Sequence, residues 1–265
     1  MTKFRATGLG LYVLAYCVFL YGPVLVLPLF SLNDAIYVAF PLKGFTWRWY
    51  GQLMSDARLH AAFLNSACIA VIASVISTSA GILTAYTLTR RNSGMARLLT
   101  PGALIPLAIP GTVLGIGLLV VANALGPGPS LIAITIGHIA ICLPMTIVIM
   151  RGRFHAYSAT IEEAATDLGA SAWQVFVKIS LPIVWPGVLS CLILSFTTSF
   201  DEFIVSYFLV GKQQTLPIFI WSSLRYADQL PKILALGTLV LLVSTVLVIW
   251  AELIQRRSYE APSKS

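Results

Sequence analysis

The sequence predicts an all-α integral membrane protein of six transmembrane helices, and three observations carry that expectation. Only 10% of the 265 residues are charged and 58% are hydrophobic, whereas an ordinary soluble domain carries about 25% charged residues. The mean hydropathy is +0.87. The apolar residues also gather into six stretches, near residues 9–32, 62–89, 98–124, 131–150, 183–207 and 233–254. Each is long enough for a helix to cross a bilayer, which takes roughly 20 residues. The whole chain, residues 1–265, reads as one transmembrane domain.

The elements follow in order. Lys3 and Arg5 precede the first stretch as they would in a signal peptide. That stretch is too long for one, and no small-residue cleavage site closes it, so an uncleaved first span is expected. An outer loop over residues 33–61 contains Phe45, Trp47, Trp49 and Tyr50, whose rings suit the membrane–water interface. The third stretch carries Pro101, Pro106, Pro110, Gly111, Gly115 and Gly117. Proline in a membrane helix frees carbonyls that protein or water must satisfy, which places this helix inside a bundle or along a cavity. Gly111 and Gly115 have the spacing that lets two helices approach closely. Gly126, Pro127, Gly128 and Pro129 make a tight turn into the fourth span. His138 lies within that span, where a buried, hydrogen-bonded histidine is expected in preference to a proton relay. His60 and His155 sit at an interface and in a loop, with no evident role. Residues 216–224 are apolar but too short to span, and suit a re-entrant or interfacial helix.

Orientation follows from the basic residues. Of the 17 Lys and Arg, eleven fall on one side: Lys3, Arg5, Arg90, Arg91, Arg97, Arg151, Arg153, Lys178, Arg256, Arg257 and Lys264. That side is therefore cytoplasmic and holds both termini. The net charge of +7 is thus spread by membrane side and forms no basic stripe with aromatics of the kind that binds nucleic acid. The four cysteines, Cys17, Cys68, Cys142 and Cys191, lie in apolar segments without metal-ligand spacing, and neither a metal nor a disulfide is expected. Hydrolase, zinc-protease and phosphate-loop motifs are missing, so no catalytic residue is assigned and an ATP-driven process needs another polypeptide as its motor.

One cytoplasmic segment, residues 158–182, is a polar island. Thr160 with Glu163 reads as a capping box, Glu162 and Glu163 suit the positive end of a helix dipole, and Gly169 can take the left-handed conformation past the helix end. Ser171 with Gln174 repeats the capping pattern, and Pro182 forbids simple continuation. A helix–glycine–helix staple between two spans reads as a docking surface. The second polar feature closes the fifth span. On a continuous helix Asp201 lies roughly 27 Å from Ile183, near the outer face. There Glu202 shares a stripe with Ser195, Thr198 and Ser206, while Asp201 lies some 100° away with Leu194, Thr197 and Val205. Acids at this depth line a pathway, with Glu202 the better placed, or pair with Lys212, Arg225 or a partner chain.

Glu163-Ala164-Ala165, then Gly169, then Ile179-x-Leu181-Pro182 reproduces the spacing of the EAA signature. In this the chain resembles permease subunits of binding-protein-dependent ABC importers. Phe45 to Tyr50, Ser199 to Val205 and Thr215-Leu216-Pro217 look similar to the spermidine/putrescine subgroup, and permeases for aminoethylphosphonate, opines or other small amines look similar too. The resemblance implies a type I ABC importer permease fold in a bacterial inner membrane. Two permease subunits, expected to be different chains, would form the path; two ATPases carrying ATP and Mg would dock beneath; a periplasmic binding protein would deliver substrate. Residues 160–180 would be coupling helices, with Glu162, Glu163, Ala164, Ala165, Asp167, Gly169, Ile179, Leu181 and Pro182 as the coupling set. A polyamine path would draw on Asp201, Glu202, Thr198, Ser206, Tyr207 and Trp221 through charge pairing and cation–π contact. The alternative, a self-sufficient secondary transporter, lacks a visible internal repeat.

Overall fold

The computed structural model describes the backbone of residues 2–90, 101–102, 104–126 and 128–260. Side chains are described for residues 8–90, 101–102, 104–126, 128–243 and 245–246. The loop cations Arg91, Arg97 and Lys264, residues 98–100 of the expected third span, and Pro127 of the turn lie outside the described residues, as do the side chains of Lys3, Arg5, Arg256 and Arg257.

Within the described residues the fold is helical. In chain order the helices are α1 (Thr2–Ser31), α2 (Arg48–Met54), α3 (Ala57–Arg90), α4 (Gly111–Leu125), α5 (Leu131–His155), α6 (Thr160–Asp167), α7 (Ala172–Val175), α8 (Leu181–Phe200), α9 (Ile204–Leu209), α10 (Leu216–Ser223) and α11 (Leu230–Glu260). A π-helical turn, Phe176–Ser180, joins α7 to α8. Four stretches are long and apolar enough to cross a membrane: Gly8–Ser31, Ala57–Arg90, Leu131–His155 and Ala172–Phe200. The expected sixth span lies inside α11. The short apolar helix expected over residues 216–224 is α10.

Two expected spans are interrupted. Residues 101–102 and 104–108 are helical, but the chain breaks at Ile109 and Pro110 before α4 begins. Pro110 has no N–H to continue the ladder and holds an extended backbone, with ψ at 136°. The fifth span stops at Phe200 and resumes only at Ile204. Here the Glu202 carboxylate accepts the Val205 N–H at 3.0 Å and so starts a new helix in place of continuing the old one.

The chain divides into two compact units, residues 1–57 with 220–265, and residues 58–219. In the first, α1 and α2 pack against α11. Trp49 is buried and its indole N–H donates to the Asn33 carbonyl at 2.8 Å. Asp56 and Lys232 form an ion pair at 2.5 Å with side chains only 9% and 8% exposed. Phe45 and Trp47 stand out at 81% and 73% exposed, as interfacial rings would. Almost none of Gly8–Ser31 is buried within the chain, which leaves an apolar helix surface for lipid or a partner helix.

In the second unit α5 packs on α8, and α9 packs on both α4 and α5. One apolar cluster joins Ile82, Met150, Phe154, Phe176 and Val188; another joins Ile69, Ile134, Val205 and Leu209. The close approaches around α9 rest on glycine. A Cβ on Gly115 would lie 2.6 Å from Phe208, and one on Gly137 would lie 2.7 Å from Val205. Helix α9 is therefore wedged between two glycine faces, one of them at the small-residue spacing noted in the sequence. Gly137→Leu is expected to destabilise the unit by about 1–3 kcal/mol through overpacking, measured as a lower midpoint of thermal unfolding in detergent. An unchanged midpoint would show that α9 can move aside freely.

Candidate functional site

The polar island is built as two short helices about a glycine. Helix α6 starts differently from the capping box expected of Thr160. Ala159 is already helical, and the Glu163 N–H donates to the Ala159 carbonyl at 3.0 Å. It is thus unavailable to the Thr160 hydroxyl. Ser158 substitutes, its hydroxyl accepting the Thr160 N–H at 3.2 Å. At the other end Gly169 has φ +90°. The Ala170 N–H reaches the Ala165 carbonyl at 3.0 Å and the Gly169 N–H reaches that of Thr166 at 2.9 Å, a Schellman closure that glycine accommodates without strain. The second capping box is present: the Ser171 hydroxyl accepts the Gln174 N–H and the Gln174 side chain accepts the Ser171 N–H. A π-helical turn then widens the backbone before α8. Turns of this kind recur at functional positions in helices.

The two neighbouring acids of α6 face opposite ways. Glu162 is 7% exposed. Its Oε1 accepts hydrogen bonds from Arg90 Nε at 3.1 Å, from the Ser180 hydroxyl at 2.9 Å and from the Tyr157 hydroxyl, and its Oε2 accepts one from Tyr86 at 3.4 Å. One carboxylate thus joins the end of α3, the linker after α5, α6 itself and the π-helical turn that leads into α8. Burial works against its charge, but the bonds from Tyr157, Ser180 and Arg90, together with the Arg90 charge, prevail and hold the Glu162 carboxyl below its ordinary value. Burial and the carboxylate push the Tyr157 phenol up. Glu163, Ala164, Asp167 and Gly169 are exposed, and Ala165 is half-buried. Leu168 and Trp173 stand beside them at 90% and 68% exposed. Ile179 and Leu181 are half-buried where the island meets α8, and Pro182 is exposed. A cavity of about 300 Å³ opens between Tyr86, Arg90, Glu162, Glu163 and Asp167.

The resemblance places Glu162 with Glu163 in one coupling set, whereas the structure buries Glu162 among partners and leaves Glu163 exposed. The signal for a division was the doublet itself: residues about 100° apart on a helix cannot share a face. Nothing in the local sequence pointed to Arg90, which lies 72 positions away.

The second polar feature is the break after α8. Because the helix ends at Phe200, the stripe drawn through Glu202 and Ser206 does not exist as one face. Glu202 is half-buried and caps α9, while Asp201 is exposed. Thr198 is half-buried on α8. Ser206 is fully buried and bonds to His138 Nε2 at 2.9 Å, while Ser199 bonds to His138 Nδ1 at 2.7 Å. The expectation of a buried, hydrogen-bonded histidine holds. Tyr207 is 45% exposed with its ring against Phe203 and Phe208. Trp221 belongs to the other unit, where the Arg225 guanidinium lies 5.9 Å from its ring centre.

The family described as "Binding-protein-dependent transport system inner membrane component" matches residues 77–258. The chain belongs to that family. It is a permease subunit of an ABC importer, and in such importers ATP is hydrolysed by separate subunits. The permease is 33% identical over 248 residues to the spermidine/putrescine transport system permease protein PotC of Escherichia coli (strain K12), covering 93% of each chain. It is 34% identical over 235 residues to the putrescine transport system permease protein PotI of the same strain, covering 84% of the permease and 82% of PotI. Among solved structures, it is similar to a bacterial alginate ABC transporter in complex with an alginate pentasaccharide-bound periplasmic protein. That likeness has a TM-score of 0.70 at 14% identity and covers 97% of the permease and 96% of that chain. At this identity the likeness concerns the fold alone.

Proposed function

We propose that this permease forms half of the pathway by which a polyamine, spermidine or putrescine, or a related small amine, crosses a bacterial inner membrane. A periplasmic binding protein delivers the solute, a second and different permease chain supplies the other half, and two ATPase subunits holding ATP and Mg2+ dock beneath residues 160–180. Both termini are cytoplasmic, in keeping with the distribution of Lys and Arg. The observation that carries the substrate is the 33% and 34% identity, over most of the chain, to proteins named for spermidine and putrescine. The chemistry of the helix break agrees with a cationic solute. Asp201 offers an exposed carboxylate and Tyr207, six residues on, a partly exposed aromatic ring, the two kinds of group an amine cation pairs with. Glu202 and Ser206 serve that path indirectly, through the cap and the histidine, with Thr198 on the approach.

At the cytoplasmic end the docking set is Glu163, Ala164, Ala165, Asp167 and Gly169, whose small residues permit close packing. Ile179, Leu181 and Pro182 tie the island to α8, and Glu162 positions it from within. The test is uptake in proteoliposomes holding the permease, its partner permease, the ATPase and the binding protein. ATP-dependent uptake of labelled putrescine, competed by spermidine and not by aminoethylphosphonate, is the expected result, and the permease chain alone moves none. Uptake of aminoethylphosphonate without putrescine would overturn the substrate.

A further inference from the structure

The histidine inside the fourth span, so far only a partner of Ser206, bonds at both of its ring nitrogens. His138 is 1% exposed, and its two ring nitrogens bond to hydroxyls on opposite sides of the helix break. Ser199 is the penultimate residue of α8 and Ser206 lies in the first turn of α9. A neutral imidazole donates at one nitrogen and accepts at the other, and a serine hydroxyl can do either, so both bonds are satisfied in either tautomer. The residue before it, Gly137, gives Val205 the room to lie against α5. Helix α5 thus both seats α9 and bonds it to α8. Between the two bonded serines lie the turn at Asp201 and the capping carboxylate of Glu202.

We propose that His138 is a positioning residue of the solute pathway: by bridging Ser199 and Ser206 it fixes the break so that Asp201 is presented at one place and angle to a passing cation. The proposal rests on the reading that Asp201 lines the path. His138 touches no solute; it acts through the carboxylate. A phenylalanine ring at this position occupies the place of the imidazole but can make neither bond. Both serines can then turn their hydroxyls back to carbonyls of their own helices, so the break persists but is no longer held in one geometry.

The experiment uses the complete importer in proteoliposomes, with uptake of labelled putrescine expressed per assembled complex and resolved into kcat and KM for the loaded binding protein. His138→Phe is expected to lower kcat roughly tenfold, the effect of two lost hydrogen bonds, with KM unchanged because the buried ring presents no surface to the binding protein. His138→Gln, which still reaches Ser206, retains most of the activity. In an Asp201→Asn background the same His138→Phe change costs nothing further. Parent-level kcat in His138→Phe, or penalties of the two substitutions that multiply, overturns the positioning role, as does a loss of uptake matched by a loss of assembled complex. If Asp201→Asn alone leaves uptake at the parent level, the pathway reading itself is withdrawn and the role of His138 with it.

Discussion

Glu162→Ala is expected to destabilise the cytoplasmic end of the permease by about 3–5 kcal/mol, the usual cost of stranding one partner of a buried ion pair. The Arg90 and Glu162 side chains are only 11% and 9% exposed. Arg90 would keep its bond to the Tyr157 carbonyl at 3.2 Å but lose its counter-charge, while the hydroxyls of Tyr157 and Ser180 would lose an acceptor. Thermal unfolding of the purified permease, or protease sensitivity of residues 156–180, measures the effect. Glu163→Ala is the control, because that carboxylate is exposed. Its expected change in stability is within about 0.5 kcal/mol, and its expected loss is in co-purification of the ATPase. Equal destabilisation by both substitutions would refute the division of labour between the two acids. The pH dependence has a definite sign. Glu162 is held below its ordinary value of 4.5 when folded, so its contribution is complete above about that pH and fades as pH falls through the folded value. Acid should therefore loosen the island in the parent, and Glu162→Gln should flatten that dependence.

Asp201→Asn is expected to lower uptake of a diamine by one to two orders of magnitude per assembled complex. An ion pair at about 4 Å is worth about 1 kcal/mol in water and about 4 kcal/mol at an effective dielectric constant of 20, and each 1.4 kcal/mol is a factor of ten. A membrane pathway lies between those limits. Glu202→Gln has a different expected signature. Its side-chain carbonyl still accepts the Val205 N–H, so the cap survives in weaker form. The loss, within the range of about 0.5–2 kcal/mol for a helix cap, falls on stability and leaves the preference for cations intact. Competition between putrescine and a neutral analogue separates the two outcomes. If Glu202→Gln, and not Asp201→Asn, abolished cation preference, the assignment drawn from exposure would be reversed.

Much of the fold was legible in the sequence because a bilayer demands long apolar runs. Long apolar helices at Gly8–Ser31, Ala57–Arg90 and Leu131–His155 cover the apolar runs near residues 9–32, 62–89 and 131–150. The island was equally legible, because Gly169, Ser171 and Gln174 act through bonds only a few residues long. What could not be read were the breaks and the long-range partners. Glu202 looked like one more residue of a helix because periodicity carries no record of a side chain that competes with the backbone for an N–H. Thr160 looked like a cap because the start of a helix depends on how the chain arrives, and Ala159 arrives already helical. Arg90, Ser180 and His138 acquire their roles only when helices far apart in sequence are brought side by side.

Helix α9 has six residues, well short of the roughly 12–15 at which a helix begins to hold itself together in isolation. Its shape is therefore borrowed from its neighbours: from Phe208 set against Gly115, Val205 set against Gly137, and the cap at Glu202. A segment with so little conformational independence cannot open or close on its own account. Whatever the importer does at this level of the membrane, α4, α5 and the end of α8 must do together, with α9 carried between them like a keystone that has no strength outside its arch.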